Sequence, residues 1–336
     1  MRALVCHQLG PPELLAVTNM ASPVPGSGKL RLRVSAAGIN FPDTLIIQGQ
    51  YQLKPPLPFV PGFEVVGTVE EVGAGVDGFA IGDRVMALTA YGFGGFAEQA
   101  TVRAAEAVPV PAGLDDVAAA ALYSAYGTAF HGLVQRGMVR PGETLVVLGA
   151  SGAVGLASVE LGKALGARVI AVGRSRDRLV LAASKGADEL VCYTDETFKQ
   201  DILSLTDGAG ADVCIDMLGG AAFDTMSRAM NWGGRLLVVG FTSGDIPRLA
   251  TNLPMLKGYS LVGTYWGRFI DRDQAGNRAN FDTLAELIAA GKVAPHVDRV
   301  VPLEGVPAAL RALLNREVSG KIVVAVTPQI SMKDHQ

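Results

Sequence analysis

The sequence is poor in the residues from which disulfide frameworks and nucleic-acid surfaces are built. Its 336 residues include only three cysteines, at Cys6, Cys192 and Cys214. Because they are odd in number and far apart, they predict no disulfide framework and suit a reducing compartment. Charged residues make up 18% of the chain and leave a net charge of −3. A nucleic-acid-binding surface is normally basic, so the charge balance speaks against a nucleic-acid partner.

Long apolar runs and targeting signals are missing as well. The N-terminus has no basic segment followed by a long apolar run, and residues 3–7 alternate as a strand does. Apolar runs such as residues 117–122 fall far short of the ~20 residues that span a bilayer. The polar tail, residues 330–336, is expected to fray. We therefore expect a cytoplasmic protein without a membrane partner.

Hydrophobic residues at 49%, 41 glycines and a length beyond one ordinary domain favour a globular α/β chain with two domains.

The N-terminal third of the chain has the sequence pattern of a β domain. Four prolines in residues 53–62 exclude a helix or a central strand there, so this segment is expected to be an extended loop. Short alternating runs predict a mostly antiparallel β domain with strands at residues 29–35, 64–72, 83–88 and 96–101.

The middle of the chain alternates between strand and helix patterns, which predicts a parallel sheet covered by helices. Strands are expected at residues 144–148, 168–172, 189–192, 212–216 and 235–239. Helices are expected at residues 152–166, 176–185, 197–205 and 221–230. A helix at 279–290 and a strand at 321–326 follow. We expect one domain from residues 123–264 and the other from 1–122 and 265–336.

A glycine-rich segment between strand 144–148 and the next helix carries the sharpest local signal. Small residues at a strand–turn–helix junction let a backbone approach a pyrophosphate, which the positive helix N-terminus attracts. A glycine-rich turn can also serve only to close a loop. We interpret this one as a dinucleotide site, with the nearest N–H groups on Gly152, Ala153 and Val154. The predicted cofactor-binding residues here are Gly149, Ser151, Gly152, Ala153, Val154 and Gly155.

The end of the next strand indicates which dinucleotide binds. An acidic residue there normally accepts from the ribose 2′-OH of NAD and repels a 2′-phosphate. Here no carboxylate stands at the end, and guanidinium groups pair well with phosphate. We therefore predict NADPH, with contacts from Arg174, Ser175 and Arg178. The alternative is a solvated helix start in which Asp177 offsets the arginines.

Several short motifs occur in the order known from one superfamily. They are Ala37-Gly-Ile-Asn40, Pro61-Gly-Phe-Glu64, Gly82-Asp-Arg-Val85 and the turn at 149–155. Over nearly its whole length the chain resembles medium-chain dehydrogenases/reductases, and within them the zinc-free quinone oxidoreductase (zeta-crystallin-like) branch. The resemblance implies an α/β fold: a Rossmann-type doubly wound parallel sheet plus a mostly β, GroES-like catalytic domain. It also implies a homodimer, which an exposed sheet edge at residues 259–263 would build.

The resemblance places zinc ligands at positions where this chain has none. Zinc alcohol dehydrogenases carry a cysteine where this chain has Asn40, a histidine at Phe63 and another cysteine near Ser124. Amide and phenyl groups are not plausible zinc ligands, and Glu64 alone cannot hold the metal. The four histidines show no ligand spacing, and no cysteine lies between Cys6 and Cys192 for a structural zinc lobe. We expect no metal.

Three residues are candidates for binding the substrate or taking part in catalysis. Asn40 could orient substrate or nicotinamide, or it could simply be a turn residue after a glycine. Tyr51 matches a tyrosine of related quinone and enoyl reductases, and its phenol could donate a hydrogen bond or a proton; packing is the alternative. Thr128 matches a position near the nicotinamide, although by itself it would be a hydroxyl inside a helix.

Further cofactor-binding residues are implied at strand ends and near the C-terminus. By resemblance or by their place at a strand end, they are Tyr193, Gly240, Phe241 and Lys321. For Lys321 a surface strand lysine is a close alternative, and His131 is expected to be a structural helix histidine. An aromatic cluster at Tyr265, Trp266 and Phe269 is expected to pack in a core or interface, with substrate stacking as the alternative.

These features predict an NADPH:quinone oxidoreductase that acts on a small quinone or enone. Hydride transfer to an electron-poor π system needs hydrogen bonds to the developing oxyanion and exclusion of water, but no Lewis acid. A 2-enoyl reductase, acting on an enoyl-CoA or an enone, shares fold, cofactor and tyrosine and remains open. A non-catalytic NADPH-binding protein is the alternative from another class.

Overall fold

The computed structural model describes residues 1–326 of the chain. The tail at 330–336, for which we expect fraying, lies outside the described residues. The chain divides into two compact units. Unit 1 contains Met1–Ser124, Asp273–Phe281 and the segment from Pro295 onward, and unit 2 contains Ala125–Arg272 and Asp282–Ala294. Residues 265–272 and 282–294, which we assigned to the first domain, thus group with unit 2.

Strands and helices both occur throughout residues 1–326. The strands are β1 (Arg2–Val5), β2 (Ala16–Asn19), β3 (Lys29–Ile39), β4 (Glu64–Val72), β5 (Arg84–Leu88), β6 (Gln99–Arg103), β7 (Val108–Pro109), β8 (Thr144–Leu148), β9 (Arg168–Gly173), β10 (Glu189–Cys192), β11 (Ala211–Asp216), β12 (Met230–Val238), β13 (Ser260–Gly263), β14 (Val297–Pro302) and β15 (Lys321–Ala325). The α-helices are α1 (Phe41–Ile47), α2 (Asp116–Phe130), α3 (Ala153–Ala164), α4 (Arg176–Ser184), α5 (Phe198–Leu205), α6 (Gly220–Met226), α7 (Asn252–Lys257), α8 (Trp266–Arg272), α9 (Gln274–Ala289) and α10 (Val306–Leu314). A π-helical turn, His131–Arg136, continues α2. Within residues 1–326, no helix is long and apolar enough to cross a membrane.

Unit 1 is built on a seven-stranded sheet in the order β14-β15-β3-β4-β5-β7, with β6 also paired to β3. All of its pairs are antiparallel except β14 with β15. The long strand β3 joins three neighbours, and its alternating Leu30, Leu32 and Val34 are fully buried. Residues 53–62 form neither helix nor strand apart from one bridge at Phe59. This is the mostly antiparallel β unit that the alternation predicts.

Unit 2 is built on a six-stranded parallel sheet in the order β10-β9-β8-β11-β12-β13. Strand β8 lies inside this sheet, and four of its five residues are buried, as a strand covered on both faces requires. Strand β13 lies at the sheet edge, where Leu261 is 46% exposed. The carboxyl ends of parallel strands lie at one edge of the sheet, so the loops that follow β8, β9, β11 and β12 meet there.

Several expected elements have wrong bounds: β3 extends to Ile39 instead of residue 35, β12 begins at Met230 instead of residue 235, and α9 begins at Gln274 instead of residue 279. The helix expected at 221–230 ends at Met226, and Met230 already belongs to β12, because the Ala211 N–H bonds to the Ala229 carbonyl and draws this segment alongside β11. The strand expected at 96–101 is β6, which begins at Gln99. Helices α1, α7, α8 and α10 and strands β2, β7 and β14 have no counterpart among the expected elements.

Candidate functional site

The glycine-rich turn of unit 2 joins the carboxyl end of β8 to α3. Gly149 has φ +83°, a left-handed conformation that favours glycine, and its N–H donates to the Val172 carbonyl at 2.9 Å. The Ala150 N–H shares the same acceptor at 3.0 Å. The Gly152 N–H donates to the Gly149 carbonyl at 3.0 Å and closes the turn. Gly152, one of the three donors we expect for the phosphates, is therefore engaged within the turn itself.

The first turn of α3 lies directly against the glycine turn. A Cβ on Gly155 would collide with the Gly149 carbonyl and lie 2.7 Å from Ala150 Cα, so only glycine allows this approach. Gly152 is the N-cap of α3, and the next residues, Ala153 and Val154, are half-buried. The first N–H groups of a helix have no partner within it, and they form its positive end. The arrangement therefore leaves the N–H groups of Ala153 and Val154 as donors for an anion.

The end of β9 carries exposed positive charge. Arg174 follows the strand and is exposed, Ser175 is the N-cap of α4, and Arg178 lies half-buried in the first turn of that helix. The carboxylate of Asp177 is exposed on the same turn. Tyr193, at the end of β10, lies beside this segment because its N–H donates to the Gly173 carbonyl at 3.0 Å.

A buried carboxylate that sequence reasoning missed organises the loop after β11. Asp216 ends that strand and accepts from the N–H groups of Leu218 at 2.7 Å and Gly219 at 3.0 Å. Burial raises the pKa of Asp216 to about 6, although the two backbone hydrogen bonds oppose the rise. Gly240 and Phe241, predicted to line the cofactor, follow β12; the Gly240 N–H reaches the Asp216 carbonyl at 3.3 Å. An aspartate at a strand end, followed three residues later by a pair of glycines, is typical of a turn in which the side chain bonds to the backbone, and it is the local signal that could have found Asp216.

Thr128 lies half-buried in the part of α2 that belongs to unit 2. Its neighbour Gly127 is a close-approach position, since a Cβ there would lie 2.5 Å from Cε2 of Trp266, whose side chain is buried. His131 stacks on Phe269 with ring centroids 4.3 Å apart, and burial lowers its pKa. Two members of the aromatic cluster thus pack within unit 2, whereas Tyr265 is 58% exposed.

In unit 1, Asn40 is the N-cap of α1, which makes it a helix start rather than a plain turn residue. Its backbone N–H donates to the Asp43 carboxylate at 2.8 Å. Asp43 is fully buried, and burial raises its pKa to about 7, while the Asn40 N–H and the Lys321 ammonium oppose the rise. The sequence signals for this helix were present, because an asparagine, a proline at the second helical position and an aspartate at the third are typical of a helix start.

The Asn40 side chain belongs to a network of buried charges. The Lys321 ammonium donates to Asn40 Oδ1 and to Glu64 Oε2, both at 2.6 Å. Asn40 Nδ2 donates to Glu64 Oε2 at 2.9 Å and to the Gly38 carbonyl at 3.2 Å. The other carboxylate oxygen of Glu64 accepts from the Ser124 N–H at 2.6 Å. We call Asn40, Asp43, Glu64 and Lys321 the polar cluster of unit 1.

The polar cluster does not fit a zinc ion. Its centre holds an ammonium group whose side chain is 2% exposed, and a cation there would repel a metal ion. Ser124 contributes a backbone N–H, a donor, and Asn40 directs its amide hydrogens inward. Among residues 1–326, no group of three or more histidines, cysteines, aspartates or glutamates could hold a metal ion.

Tyr51 follows α1 and lies half-buried against the hydrophobic core of unit 1. Its placement fits the packing interpretation and leaves part of the side chain accessible. Lys321 is deeply buried, so it is not the surface strand lysine of our alternative. Sequence reasoning named Asn40 and Lys321 for separate roles; the structure brings them together and adds Glu64 and Asp43.

Comparison with known proteins identifies the fold that carries these two groups of residues. The Zinc-binding dehydrogenase family model matches residues 153–290, and the Alcohol dehydrogenase GroES-like domain model matches residues 26–112. A quinone oxidoreductase-like protein 2 homolog from Nematostella vectensis is 38% identical, over 96% of this chain and 88% of that protein. An acryloyl-coenzyme A reductase from Sulfurisphaera tokodaii is 29% identical, over 96% of this chain and 99% of that protein.

A solved mycobacterial structure in complex with NADPH superposes with a TM-score of 0.91 at 29% identity, covering 97% of this chain and 100% of the other. The expected fold class is confirmed: an α/β protein that combines a Rossmann-type parallel sheet with a GroES-like domain.

Proposed function

Because this chain belongs to the medium-chain dehydrogenase/reductase superfamily, in its quinone oxidoreductase branch, we propose that it is an NADPH:quinone oxidoreductase that works without a metal. The observation that carries the proposal is the glycine turn of unit 2, which is followed by a strand, β9, with a basic end. When bound, NADPH supplies a hydride; with one proton, a quinone then becomes a hydroquinone and NADP⁺ remains.

The residues of unit 2 fit a phosphorylated dinucleotide. The glycine turn lies so close to Gly155 that a Cβ would not fit there. The N–H groups of Ala153 and Val154 would hold the pyrophosphate at the positive end of α3. Gly149, Ser151 and Gly152 shape the turn. Gly240 and Phe241 would line the nicotinamide side, after β12.

The preference for NADPH over NADH rests on charge. No carboxylate follows Gly173 directly, and exposed Arg174 stands in its place. Arg174, Ser175, Arg178 and Tyr193 would surround the 2′-phosphate, since guanidinium groups bind phosphate through paired, charge-assisted hydrogen bonds.

The metal-free proposal follows from the donor set of unit 1 together with the chemistry. Reduction of a quinone places negative charge on oxygen, which hydrogen-bond donors can stabilise and solvent can protonate. The hydroxyls of Tyr51 and Thr128 are the proposed donors. An internal ammonium, that of Lys321, occupies the polar cluster where a metal would need free ligands.

The cofactor preference has a direct test. Arg174→Ala with Arg178→Ala should raise the Kd for NADPH at least about tenfold, the effect of one charge-assisted hydrogen bond, and change that for NADH less than threefold. Arg176→Ala is the matched control, because Arg176 is an exposed arginine of the same turn outside the proposed contacts. Equal affinities of the unmodified protein for NADPH and NADH would contradict the proposal.

A second candidate, an enoyl reductase, is favoured by the acryloyl-coenzyme A reductase relative. Enoyl reduction places hydride on the β-carbon and needs a proton at the α-carbon, where transfer is slow. A positioned acid should then contribute about 10²–10⁴-fold. In quinone reduction, losing a phenol costs about 2- to 13-fold, the range of one hydrogen bond.

Tyr51→Phe separates the two candidates. We expect kcat/KM with the best quinone to fall about 2- to 13-fold, and Tyr91→Phe, an exposed tyrosine that accepts from Lys29, to leave it unchanged. A loss beyond ~10²-fold on an efficient enoyl-CoA or enone substrate would favour the enoyl reductase. NADPH binding without turnover across a panel of quinones, enones and enoyl-CoA esters would favour a non-catalytic protein.

We also propose a homodimer formed through β13. Its backbone is unpaired on the outer side within the described sheet, and an edge strand can pair with a second copy. Exposed Leu261 on the strand and Trp232 (77% exposed) on the neighbouring β12 supply apolar surface beside it. Leu261→Arg should turn a dimer into a monomer in sedimentation measurements, and a monomeric unmodified protein would contradict the proposal.

A further inference from the structure

Two loops at the carboxyl edge of the parallel sheet in unit 2 are bonded to each other. One follows β11 and contains residues 217–220, and the other follows β12 and contains residues 240–245; we call them the paired loops. Three backbone hydrogen bonds join them: the Thr242 N–H to the Met217 carbonyl at 3.0 Å, the Ser243 N–H to the Leu218 carbonyl at 3.0 Å, and the Gly220 N–H to the Asp245 carbonyl at 3.2 Å. Each loop therefore depends on the other for its shape.

The carboxylate of Asp216, the last residue of β11, determines how the first of these loops leaves the sheet. Its Oδ1 accepts from the N–H groups of Leu218 at 2.7 Å and Gly219 at 3.0 Å, and its Oδ2 accepts from Gly219 at 3.2 Å. The side chain is fully buried, and bonds from N–H groups to an ionised oxygen are stronger than those between neutral groups. Gly219 has φ +70°, a left-handed conformation that favours glycine, so the carboxylate holds a bend that few other residues could form.

The bend held by Asp216 places the loop against two of the predicted cofactor-binding residues. A Cβ on Gly219 would lie 2.9 Å from Cδ1 of Phe241, so the phenyl ring lies directly on this glycine. A Cβ on Gly149 would lie 3.1 Å from Cδ2 of Leu218, so the leucine side chain lies beside the glycine turn. One buried carboxylate thus holds a loop that contacts both the turn after β8 and the residues after β12.

The order of the strands assigns the paired loops to one half of the proposed dinucleotide. In the sheet, β9 lies on one side of β8, and β11 lies on the other side, followed by β12. The proposed 2′-phosphate contacts follow β9, and the proposed pyrophosphate contacts follow β8. Since a dinucleotide lies across the carboxyl ends of the strands in a sheet of this kind, its nicotinamide half would extend over β11 and β12.

We propose that Asp216 is a positioning residue for the nicotinamide half of the cofactor: by bonding to the Leu218 and Gly219 N–H groups, it holds the loop on which the Phe241 ring rests. This deepens the proposed function, on which the identity of the cofactor rests. Without the carboxylate, two N–H groups lose their acceptor and the paired loops adopt other arrangements. The observed affinity then falls with the fraction of molecules that keep the binding arrangement.

The adenosine half should be independent of Asp216. Its proposed contacts follow β9, on the other side of β8. The glycine turn also has bonds of its own, because the N–H groups of Gly149 and Ala150 donate to the Val172 carbonyl at 2.9 and 3.0 Å. Loss of the Asp216 carboxylate should therefore affect one half of the cofactor selectively.

The test compares two probes by equilibrium binding, so it does not depend on turnover. NADP⁺ carries both halves, whereas adenosine 2′,5′-bisphosphate carries the 2′-phosphate and a 5′-phosphate but no nicotinamide riboside. For Asp216→Ala we expect the Kd for NADP⁺ to rise at least about tenfold, the effect of losing one hydrogen bond to an ionised group. The Kd for the bisphosphate should change by less than about threefold, because its contacts are more distant. A general defect in the folding of unit 2 would weaken both probes alike.

The conservative variant Asp216→Asn shows whether the hydrogen bonds are the cause. The asparagine keeps an oxygen that can accept from both N–H groups, as Oδ1 of the aspartate does. Because bonds to a neutral oxygen are weaker but still formed, the Kd for NADP⁺ should stay within about threefold of that of the unmodified protein.

The matched control is Asp212→Ala, at the other end of β11. The Asp212 carboxylate accepts from the Thr144 N–H at 2.8 Å and from Asn231 Nδ2 at 2.7 Å. The variant thus removes hydrogen bonds of the same kind at the opposite edge of the sheet, and it should leave both Kd values unchanged.

If Asp216→Ala does not fold, Gly219→Ala takes its place in the comparison. Its Cβ would lie 2.7 Å from the Asp245 carbonyl and 2.9 Å from Phe241 Cδ1, so it disturbs the paired loops while the Asp216 carboxylate is retained. We expect the same selective loss of NADP⁺ affinity.

Three results would overturn the proposal. They are a variant at position 216 that is folded by circular dichroism yet binds NADP⁺ like the control, equal losses for the two probes, and an unmodified protein that binds NADP⁺ no more tightly than the bisphosphate. A failure of the proposed function is recognised separately. If NADP⁺ affinity depends selectively on Asp216 while no quinone or enone is reduced, the positioning role stands and the catalytic proposal falls. Binding of neither probe would remove the proposed cofactor and this role with it.

Discussion

The two units hold their functional residues in opposite ways. In unit 2, seven contiguous residues, 149–155, fold a turn whose donors are backbone N–H groups and whose side chains are small. In unit 1, the polar cluster is assembled from residues 40, 43, 64 and 321, and its charges satisfy one another in the interior. The first arrangement depends on the room around a backbone, whereas the second depends on the balance of buried charge. The two should therefore fail in different ways when altered.

The largest effect is expected from breaking the charge balance in unit 1. Lys321→Met leaves Glu64, whose side chain is 0% exposed, without its cation. Removing one partner of a buried ion pair costs about 3–5 kcal/mol of unfolding free energy. Denaturant unfolding measures this loss. Adding Glu64→Gln should restore most of the stability, because no unpaired charge remains.

The exposed charge of Arg174 in unit 2 should contribute little to the free energy of unfolding. Arg174 is exposed, so Arg174→Ala should change the free energy of unfolding by no more than about 0.5 kcal/mol. A loss below about 1 kcal/mol for Lys321→Met would show that the two units do not differ in the way described here.

The next prediction tests how closely the first turn of α3 approaches the glycine turn in unit 2. Gly155→Ala forces a Cβ against the Gly149 carbonyl and within 2.7 Å of Ala150 Cα, and overpacking of this kind costs about 1–3 kcal/mol. Gly152→Ala is the matched control, since its Cβ would lie 3.6 Å from the Gly149 carbonyl, an ordinary contact, and its φ of −82° suits any residue. Thermal unfolding without cofactor should separate the two; equal midpoints would argue against the close approach.

A pH-dependent effect is expected from one buried aspartate in each unit. Burial raises the pKa of Asp43 to about 7 and that of Asp216 to about 6, from an ordinary value of 3.8. Between pH 4 and these values the folded chain holds a proton that the unfolded chain has lost. The stability that each aspartate contributes is thus full below pH about 4 and is lost as the pH rises to about 7 or 6, by at most about 1.4 kcal/mol per pH unit.

Urea unfolding of Asp43→Asn and Asp216→Asn between pH 4.5 and 8 checks this. The unfolding free energy of each variant, minus that of the unmodified protein, should rise with pH. It should level off near pH 7 for the unit 1 variant and near pH 6 for the unit 2 variant. A difference that stays flat across the range would refute the assignment of the raised pKa.

The same contrast explains how far sequence reasoning reached. In unit 2 the expected strands 144–148 and 189–192 coincide with β8 and β10, and the turn lies where the glycines indicate. These elements depend on local patterns: continuous apolar runs, β–α alternation and glycines at fixed offsets.

The polar cluster has no such local signature. Glu64 and Lys321 are 257 residues apart in the chain and meet only because β3 pairs with both β4 and β15. A single buried lysine at the start of a strand looks like a surface lysine until its partner is known. Asn40 and Lys321 could be named from a resemblance, but their mutual orientation could not.

Pairing with a distant strand also overrode one local helical pattern. Residues 227–230 continue the apolar spacing of α6, yet the Ala229 carbonyl accepts from the Ala211 N–H and Met230 begins β12. By contrast, α1 was missed although its start carried the expected asparagine, proline and aspartate, because Asn40 was considered for its chemistry and not as a helix cap.

Both tryptophans of the chain lie in unit 2, so tryptophan fluorescence reports on that unit. Trp232 is 77% exposed and Trp266 4% exposed, and both belong to unit 2. Intrinsic tryptophan emission therefore combines one solvent-facing and one shielded indole from a single half of the molecule. Loss of structure confined to unit 1 would remove the far-ultraviolet dichroism of its sheet, whereas loss of structure in unit 2 would change the tryptophan emission. Tryptophan fluorescence and far-ultraviolet circular dichroism, followed in one denaturant titration, would thus show whether the two units unfold together or separately.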